Sequence, residues 1–280
     1  MLSILFGLCS AFSWGAGDFT GGLAARRSGA YRTVLYAEVI GVICLIVAVV
    51  IFGEPIPDLR VWLISMLAGA LGSIGLLLLY HSMTLGLMSI AAPVSALLAA
   101  VLPVVVGIFN EGLPELLTFI GFGFALLAVW MISQSAGGVT NIFTHLSDLK
   151  LPLLAGIGFG LYFVLMHEAT NAGAIVWPMV ASRTGGMLLI VVYMLFTRAS
   201  WKVELSALPM ISLNGILDLG GNAFFILAGQ AGRLDVAAVI SSLFPGATVM
   251  LAWIFLKERL NRNQWIGILS ALTAIVLMTI

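Results

Sequence analysis

The sequence predicts an all-α membrane protein whose ten transmembrane helices form two inverted five-helix repeats. Of the 280 residues, 61% are hydrophobic and only 9% are charged, whereas about a quarter of the residues of a soluble domain are charged. Apolar stretches of about 20 residues, the length that crosses a hydrocarbon core, recur along the chain. Similar residues also recur in the same order in both halves of the sequence. We therefore expect lipid to be the main solvent of this protein.

The predicted spans are separated by short loops. Breaks at charged, proline and glycine-rich stretches place the spans at residues 2–25, 32–52, 60–84, 88–109, 115–135, 151–170, 175–196, 206–230, 235–256 and 263–280. No basic residue precedes the first apolar stretch, which favours a membrane span over a signal peptide. Because the longest loop lies midway, we expect a first repeat over residues 1–135, a connecting loop over 136–150 and a second repeat over 151–280.

Basic residues in the loops predict the orientation, because lysine and arginine are enriched in cytoplasmic loops. Arg60 and Arg233 lie on one side of a ten-helix arrangement. The basic residues on the opposite side are Arg26, Arg27, Arg32, Lys150, Arg198, Lys202, Lys257, Arg259 and Arg262. This bias predicts a multi-pass protein of the inner (plasma) membrane, with the larger set in the cytoplasm and both chain termini outside.

Two stretches of the first half are similar to two stretches of the second half. Residues 86–97 share glycine, Ala-Ala, serine and leucine positions with residues 232–243, and residues 109–113 share glutamate and leucine positions with residues 256–260. A repeat of five helices forces the second copy to enter the membrane in the opposite direction. Inverted repeats commonly place a substrate site near the midplane, between the two copies.

The chain resembles EamA-type carriers of the drug/metabolite transporter superfamily over essentially its whole length. The motifs that carry the resemblance are Leu-Asp-Val-Ala-Ala-Val-Ile-Ser-Ser-Leu-Phe-Pro-Gly at 234–246, Trp-Ile-Phe-Leu-Lys-Glu-Arg-Leu at 253–260, Gln-Trp-Ile-Gly at 264–267 and Trp14-Gly15. The resemblance implies a ten-helix carrier with a central cavity lined by both halves. It also implies a substrate among amino acids, sugars, nucleotide-linked metabolites, amines and drugs.

The first half departs from the family pattern in two places. Pro103 lies nearer to Glu111 than Pro245 lies to Glu258, and Glu38 stands where members often have an arginine. These departures leave the fold inference intact but prevent the transfer of a substrate from any one relative.

Charged residues inside membrane spans are costly unless they are paired or hydrated, so each one is a functional candidate. Asp18 lies one helical turn after Trp14 on the same face of the first helix, and Glu38 lies in the second helix. Two carboxylates that share a poorly solvated site could take up a proton near neutral pH, so we expect Asp18 and Glu38 to couple transport to protons. The alternatives are that Asp18 is hydrated and that Glu38 extends towards the headgroups.

Arg183 lies close to the middle of the seventh helix, where a lone guanidinium needs a carboxylate partner or an anionic substrate group. We expect Asp218 to be that partner, and otherwise Glu38. Asn214, Asp218 and Asn222 recur every four residues and form a polar stripe along the eighth helix. The stripe predicts a cavity wall, although hydrogen bonds between helices are an alternative. Glycines 69, 72 and 75 in the third helix predict tight packing there instead.

Aromatic residues predict a pocket for a planar or cationic ligand. Trp14, Tyr80 with His81, and Tyr162 are its candidate members, and Trp177 is a further one. Tyrosine and tryptophan also populate interfacial belts, which is the alternative.

Signals for enzymatic chemistry are absent from the sequence. His167-Glu168 lacks the second histidine of a His-Glu-x-x-His zinc site, and no phosphate-binding loop occurs. Cys9 and Cys44 lie inside apolar stretches, which favours small buried hydrophobes over a disulfide or a metal site. We therefore expect no cofactor, no metal and no enzymatic activity, and a net charge of zero argues against nucleic acid as a partner.

The function that these features predict is secondary active transport, with export of a small polar or zwitterionic metabolite such as an amino acid. Arg183 would hold an anionic group, and Asp18 or Asp218 would hold an amine. The alternatives are efflux of hydrophobic cations and a membrane scaffold or sensor that does not transport. The partners are a small-molecule substrate and the bilayer, and the oligomeric state stays open.

Overall fold

The structure, a computed structural model, describes residues 1–85, 88–132, 149–171, 173–256 and 261–279. The regular structure in these ranges is helical. The helices are α1 (Leu2–Ser28), α2 (Ala30–Phe52), α3 (Leu59–Thr84), α4 (Met88–Glu111), α5 (Leu116–Ile132), α6 (Lys150–Thr170), α7 (Val176–Thr197), α8 (Leu208–Gln230), α9 (Leu234–Ser241), α10 (Phe244–Leu256) and α11 (Arg262–Thr279). Most of the predicted connecting loop, 136–150, and the predicted cytoplasmic Lys257 and Arg259 lie outside the described residues.

Eight of the described helical segments are long and apolar enough to cross a membrane, and Leu116–Ile132 is a shorter apolar helix. The prediction of an all-helical, multi-pass membrane protein is confirmed. The ninth predicted span, 235–256, matches the apolar segment Leu234–Phe255, which consists of two helices, α9 and α10. Pro245 is the second residue of α10, and its missing N–H and its ring oppose a continuous helix at that point.

The two halves of the chain pack into each other. Helix α1 packs along α8, α3 packs between α6 and α7, α2 packs against α7 and α8, and α5 packs along α11. The expected tight packing of α3 is confirmed at Gly69, where an added Cβ would collide with the backbone of Ser182. Gly185 of α7 approaches the backbone of Met66 in the same way. Small residues therefore allow α3 and α7 to meet backbone to backbone.

The two ends of the bundle carry different polar contacts. We call the end that contains Met1 and the α2–α3, α4–α5, α6–α7 and α8–α9 loops the terminal face, and the other end the basic face. At the terminal face Arg60 pairs with Glu168 and Arg233 pairs with Glu111. At the basic face Arg32 contacts the loop that follows α7.

Large apolar side chains cover the outer surface of the bundle, as a lipid solvent requires. Along α2, for example, Ile43, Ile46, Val47 and Val50 are all exposed. Trp201, Trp253 and Trp265 are exposed as well. Cys9 and Cys44 are free thiols and partly buried.

Candidate functional site

A central cavity lies at the level of the middle of the helices. The cavity and its mouth comprise about 600 Å³ of space, the open solvent at the mouth included. Its lining residues come from α1, α2, α3, α6, α7, α8 and α10: Trp14, Asp18, Glu38, Gly69, Gly72, Ser73, Leu76, Phe159, Tyr162, Phe163, Ser182, Arg183, Asp218, Asn222 and Phe244. Both halves of the chain therefore contribute to one site.

One side of the cavity is charged, and Arg183 is its centre. The side chain is almost fully buried, and its Nη1 donates a hydrogen bond to Oε2 of Glu38 at 3.0 Å. Its Nη2 donates to Oδ2 of Asp218, which confirms the predicted ion pair. Ser73 donates to the second carboxylate oxygen of Glu38 at 3.0 Å. The guanidinium thus joins α7 to α2 and to α8.

The ion pair with Asp218 continues into a chain of polar side chains. Asn222 donates from Nδ2 to the same oxygen of Asp218 at 3.2 Å, one turn along α8. Tyr162 of α6 donates its hydroxyl proton to Oδ1 of Asn222 at 2.9 Å. The predicted polar stripe on α8 therefore forms a cavity wall at Asp218 and Asn222 and also hydrogen-bonds to a neighbouring helix, so both interpretations of the stripe apply.

Asp18 occupies the same side of the cavity without a cation among its described partners. It is buried, lies beside Asp218 and is within hydrogen-bonding reach of the Tyr80 hydroxyl. Asn214 donates to that hydroxyl at 3.1 Å. We call Asp18, Glu38, Arg183 and Asp218 the charged wall. Three carboxylates and one guanidinium make this wall electronegative, so it is suited to groups that donate hydrogen bonds or carry positive charge.

A second part of the cavity lining is aromatic. Trp14 stacks on Phe163 with ring centroids 5.2 Å apart and an interplanar angle of 19°. Phe225 lies behind both rings, with its centroid 4.5 Å from that of Phe163. We call these three residues the aromatic wall. Gly221 makes room for it, because an added Cβ there would overlap the Trp14 ring.

Most of the residues predicted for the site meet in the cavity, namely Trp14, Asp18, Glu38, Tyr162, Arg183, Asp218 and Asn222. Glu38 pairs with Arg183, its second predicted partner. Glu38 was also expected to share a site with Asp18, but the carboxylate that lies beside Asp18 is that of Asp218. Tyr80 is buried behind Asp18 and does not line the cavity. His81 is exposed, because successive residues of an α-helix point about 100° apart. Trp177 packs on Trp62 at the start of α7, outside the cavity.

Several lining residues were not predicted. Phe159 and Phe163 lie on α6 one turn apart, and Phe244 starts α10. Aromatic residues are frequent throughout this chain, so their presence alone did not distinguish them. Their positions in the sequence did offer a signal for the cavity. Phe159 lies three residues before Tyr162 and Phe163 directly follows it, on a helix that also contains Gly156 and Gly160.

Among the described residues, no group of three or more His, Cys, Asp or Glu is arranged to hold a metal ion. A multi-pass helical bundle with one central, electronegative, aromatic-backed cavity defines the class of membrane carriers for small molecules.

Comparisons with known proteins agree with this class. The profile of the EamA-like transporter family matches residues 1–134 and 148–280. The chain belongs to this family, which is part of the drug/metabolite transporter superfamily. It is therefore a transporter and not an enzyme.

Relatives match the chain from end to end. A protein of Streptococcus pyogenes serotype M6 named "Putative sugar uptake protein" is 24% identical and covers 99% of this chain and 98% of its own length. A protein of the same name from serotype M1 has the same identity and coverage. One solved crystal structure superposes with a TM-score of 0.78 over 99% of this chain and 96% of the other, at 16% identity, a likeness that concerns the fold.

Proposed function

We propose that this transporter is a secondary active carrier of a small, polar, hydroxyl-rich solute, with sugars as the first class to test. The observation that carries the proposal is that the acceptor groups of the charged wall and the rings of Trp14 and Phe163 line the same cavity. Hydroxyl groups donate to carboxylate and amide oxygens, and the C–H face of a sugar ring packs on an aromatic ring. The name of the Streptococcus pyogenes relatives supports the same class.

A second candidate is export of an amine-bearing or zwitterionic metabolite. Asp18 favours it, because this carboxylate lies beside Asp218 and a protonated amine would compensate both charges. The anionic half of a zwitterion has weaker support, since both terminal nitrogens of Arg183 already bind carboxylates. Efflux of hydrophobic cations relies on the same carboxylates, and the neighbouring Trp14 ring suits it.

Proton coupling belongs to the same proposal. Asp18 is its proposed centre, because its carboxylate is buried beside a second one. Glu38 is the second group that we propose for proton coupling, and it acts through Arg183. If the guanidinium of Arg183 released Asp218, Glu38 would remain as the counter-ion of Arg183. A solute that displaces Arg183 from Asp218 would thereby change the proton affinity of the carboxylates in the cavity.

The finer architecture that we propose is a pair of inverted repeats, residues 1–135 and 151–280, joined by 136–150. Exchanging the halves maps the packing of α1 on α8 onto that of α6 on α3, and the packing of α3 on α7 onto that of α8 on α2. Glu38 and Arg183 occupy equivalent positions and pair with each other. The equivalent residues Gly53 and Arg198 both adopt left-handed conformations, at φ 60° and 50°.

Binding and transport by the purified protein test the proposed substrate class. Monosaccharides, amino acids and quaternary amines would be compared first by thermal stabilisation in detergent, because a ligand at 100 times its Kd stabilises the fold by about 2.7 kcal/mol. The stabilising class would then be tested by counterflow in proteoliposomes. We expect sugars to stabilise the protein and to support counterflow. Both effects should be lost in Asp18→Asn and in Asp218→Asn.

The control is Glu168→Gln, which changes an exposed carboxylate outside the cavity and is expected to keep full activity. If amines alone stabilise the protein, the second candidate replaces the first. Counterflow that survives both cavity substitutions would contradict the proposed site.

The inverted repeats are tested by labelling single cysteines placed at positions 53 and 198. We expect the two cysteines to be labelled from opposite faces of the membrane.

A further inference from the structure

Helices α2 and α7 come from different halves of the chain and are joined at both ends as well as at the middle. At midplane the contact is the ion pair between Glu38 and Arg183. Towards each membrane face, a loop that follows one helix contacts the beginning of the other helix. The residues of the two end contacts are not among those that line the cavity.

At the terminal face, Glu54 caps helix α7. Its two carboxylate oxygens accept hydrogen bonds from the backbone N–H groups of Ile175, Val176 and Trp177, with the last two at 2.7 and 2.9 Å. The Trp177 indole donates in turn to the backbone carbonyl of Glu54 at 2.9 Å. Ile175 has no side chain that could cap the helix itself. A carboxylate at a helix N-terminus also complements the helix dipole, so this contact is strong and charge-assisted.

Gly53 explains how Glu54 reaches α7. It ends α2 in the left-handed conformation at φ 60°, and its N–H bonds to the carbonyl of Val49 at 3.0 Å. This turn directs the chain away from the axis of α2 and towards the start of α7. Glycine adopts such a conformation without steric cost.

At the basic face, the arrangement is repeated with the opposite chemistry. Helix α7 ends at Arg198, which is also left-handed, and the loop that follows presents its backbone carbonyls to the start of α2. Arg32 donates to the carbonyl of Lys202 at 2.6 Å, and Tyr36 donates its hydroxyl proton to the carbonyl of Trp201 at 2.9 Å. At the terminal face, therefore, a side chain accepts hydrogen bonds from backbone N–H groups. At the basic face, side chains donate hydrogen bonds to backbone carbonyls.

We propose that these two contacts are opposing latches that determine which face of the cavity is open, with Glu54 as the positioning residue of the terminal latch and Tyr36 with Arg32 as those of the basic latch. Alternating access requires helices that line the cavity to separate on one face of the membrane while they stay joined on the other. A contact between α2 and α7 at one face stabilises only those states in which these two helices are joined at that face. Loss of one latch therefore favours the states that are open to its own face.

The inference rests on membership of the transporter family and not on the proposed substrate, so it can be tested without any ligand. Ser182 lines the cavity, and Ser182→Cys in a Cys9→Ser, Cys44→Ser background provides a reporter there. A membrane-impermeant maleimide is added to one face of oriented vesicles at a time, and the labelling rate is measured. The terminal latch is removed by Glu54→Ala and weakened by Glu54→Gln, and the basic latch is weakened by Tyr36→Phe and removed by Arg32→Ala with Tyr36→Phe.

Glu54→Ala should raise labelling from the terminal face roughly ten-fold and lower it from the basic face, because the lost bonds are charge-assisted. Glu54→Gln should have a smaller effect in the same direction, and the Arg32 and Tyr36 variants should act in the opposite direction. The control Asp58→Asn alters a carboxylate at the terminal face that accepts its hydrogen bond from the Val61 N–H, within the first half of the chain, and it should change neither rate. Thermal melting in detergent checks that each variant is folded. If Glu54→Ala is not folded, Glu54→Gln replaces it in the test. Unchanged rates, or a rise from the same face in both sets of variants, would overturn the proposal.

Discussion

The charged wall and the aromatic wall belong to one site but are held together by different forces. In the charged wall, Arg183 connects Glu38 and Asp218 from two other helices, and its removal would leave two buried carboxylates without their partner. In the aromatic wall, Trp14, Phe163 and Phe225 make non-directional ring contacts, which a similar apolar side chain can partly replace. The comparison teaches that the charged wall is a single coupled unit, whereas the aromatic wall tolerates gradual change.

The largest effect is expected for Arg183→Ala. Breaking a buried ion pair by removing one partner costs about 3–5 kcal/mol, and here two carboxylates lose their partner. Unfolding of the detergent-solubilised protein should report this loss, together with loss of transport. Arg60→Ala, which breaks the exposed pair with Glu168, should cost about 0–1 kcal/mol. A cost for Arg183→Ala as small as that of Arg60→Ala would remove the basis of the comparison.

Gly69→Ala should have the next largest effect. Its new Cβ would collide with the backbone of Ser182, next to Arg183, and backbone cannot move aside as a flexible side chain can. Overpacking of this kind costs about 1–3 kcal/mol and should displace the guanidinium as well. The matched control is Gly123→Ala, whose Cβ would meet nothing within 4 Å. Melting temperatures that fall equally in both variants would show that general helix effects, and not the contact with Ser182, are responsible.

Phe163→Leu tests the aromatic wall. The substitution removes ring contacts with Trp14, Tyr162 and Phe225, each worth about 0.5–1.5 kcal/mol, while leucine retains part of the packing. We expect a net loss of about 1–2 kcal/mol and weaker substrate binding with transport retained. Phe196→Leu is the control, because Phe196 is exposed. Complete loss of transport in Phe163→Leu would show that the aromatic wall is as strictly required as the charged wall.

Tyr162→Phe should have the smallest effect, since it removes only the hydroxyl that donates to Asn222 at 2.9 Å. Hydrogen bonds between membrane helices contribute about 0.6 kcal/mol on average and about 1.7 kcal/mol at most. Thermal unfolding should show a loss in this range, and Tyr193→Phe, at an exposed position, should show none. A loss as large as that of Arg183→Ala would mean that the coupled unit extends through Asn222 to α6.

The parts of the site that were predictable from sequence are those in which a residue contrasts with its surroundings. Arg183 and Asp218 stand out because a charge in an apolar helix needs a partner, and consecutive helices offered few choices. Phe163 does not stand out, because an aromatic residue is equally at home in a core, in lipid or in a cavity. The break between α9 and α10 had a signal in Pro245, but α4 continues through Pro93 and Pro103, so proline alone did not identify it.

The sequence by itself determined the solvent of this protein, the approximate position of its spans, its family and the identity of its buried charges. These properties depend on composition and on residues close together in the chain. Only the tertiary structure decided that Glu38 pairs with Arg183 and Ser73 while Asp18 lies with Asp218 and Tyr80. It also decided that Tyr80 is buried and His81 is exposed. The physical reason is that a helix presents a different face with each residue, and which face meets which neighbour depends on packing between helices that are distant in sequence.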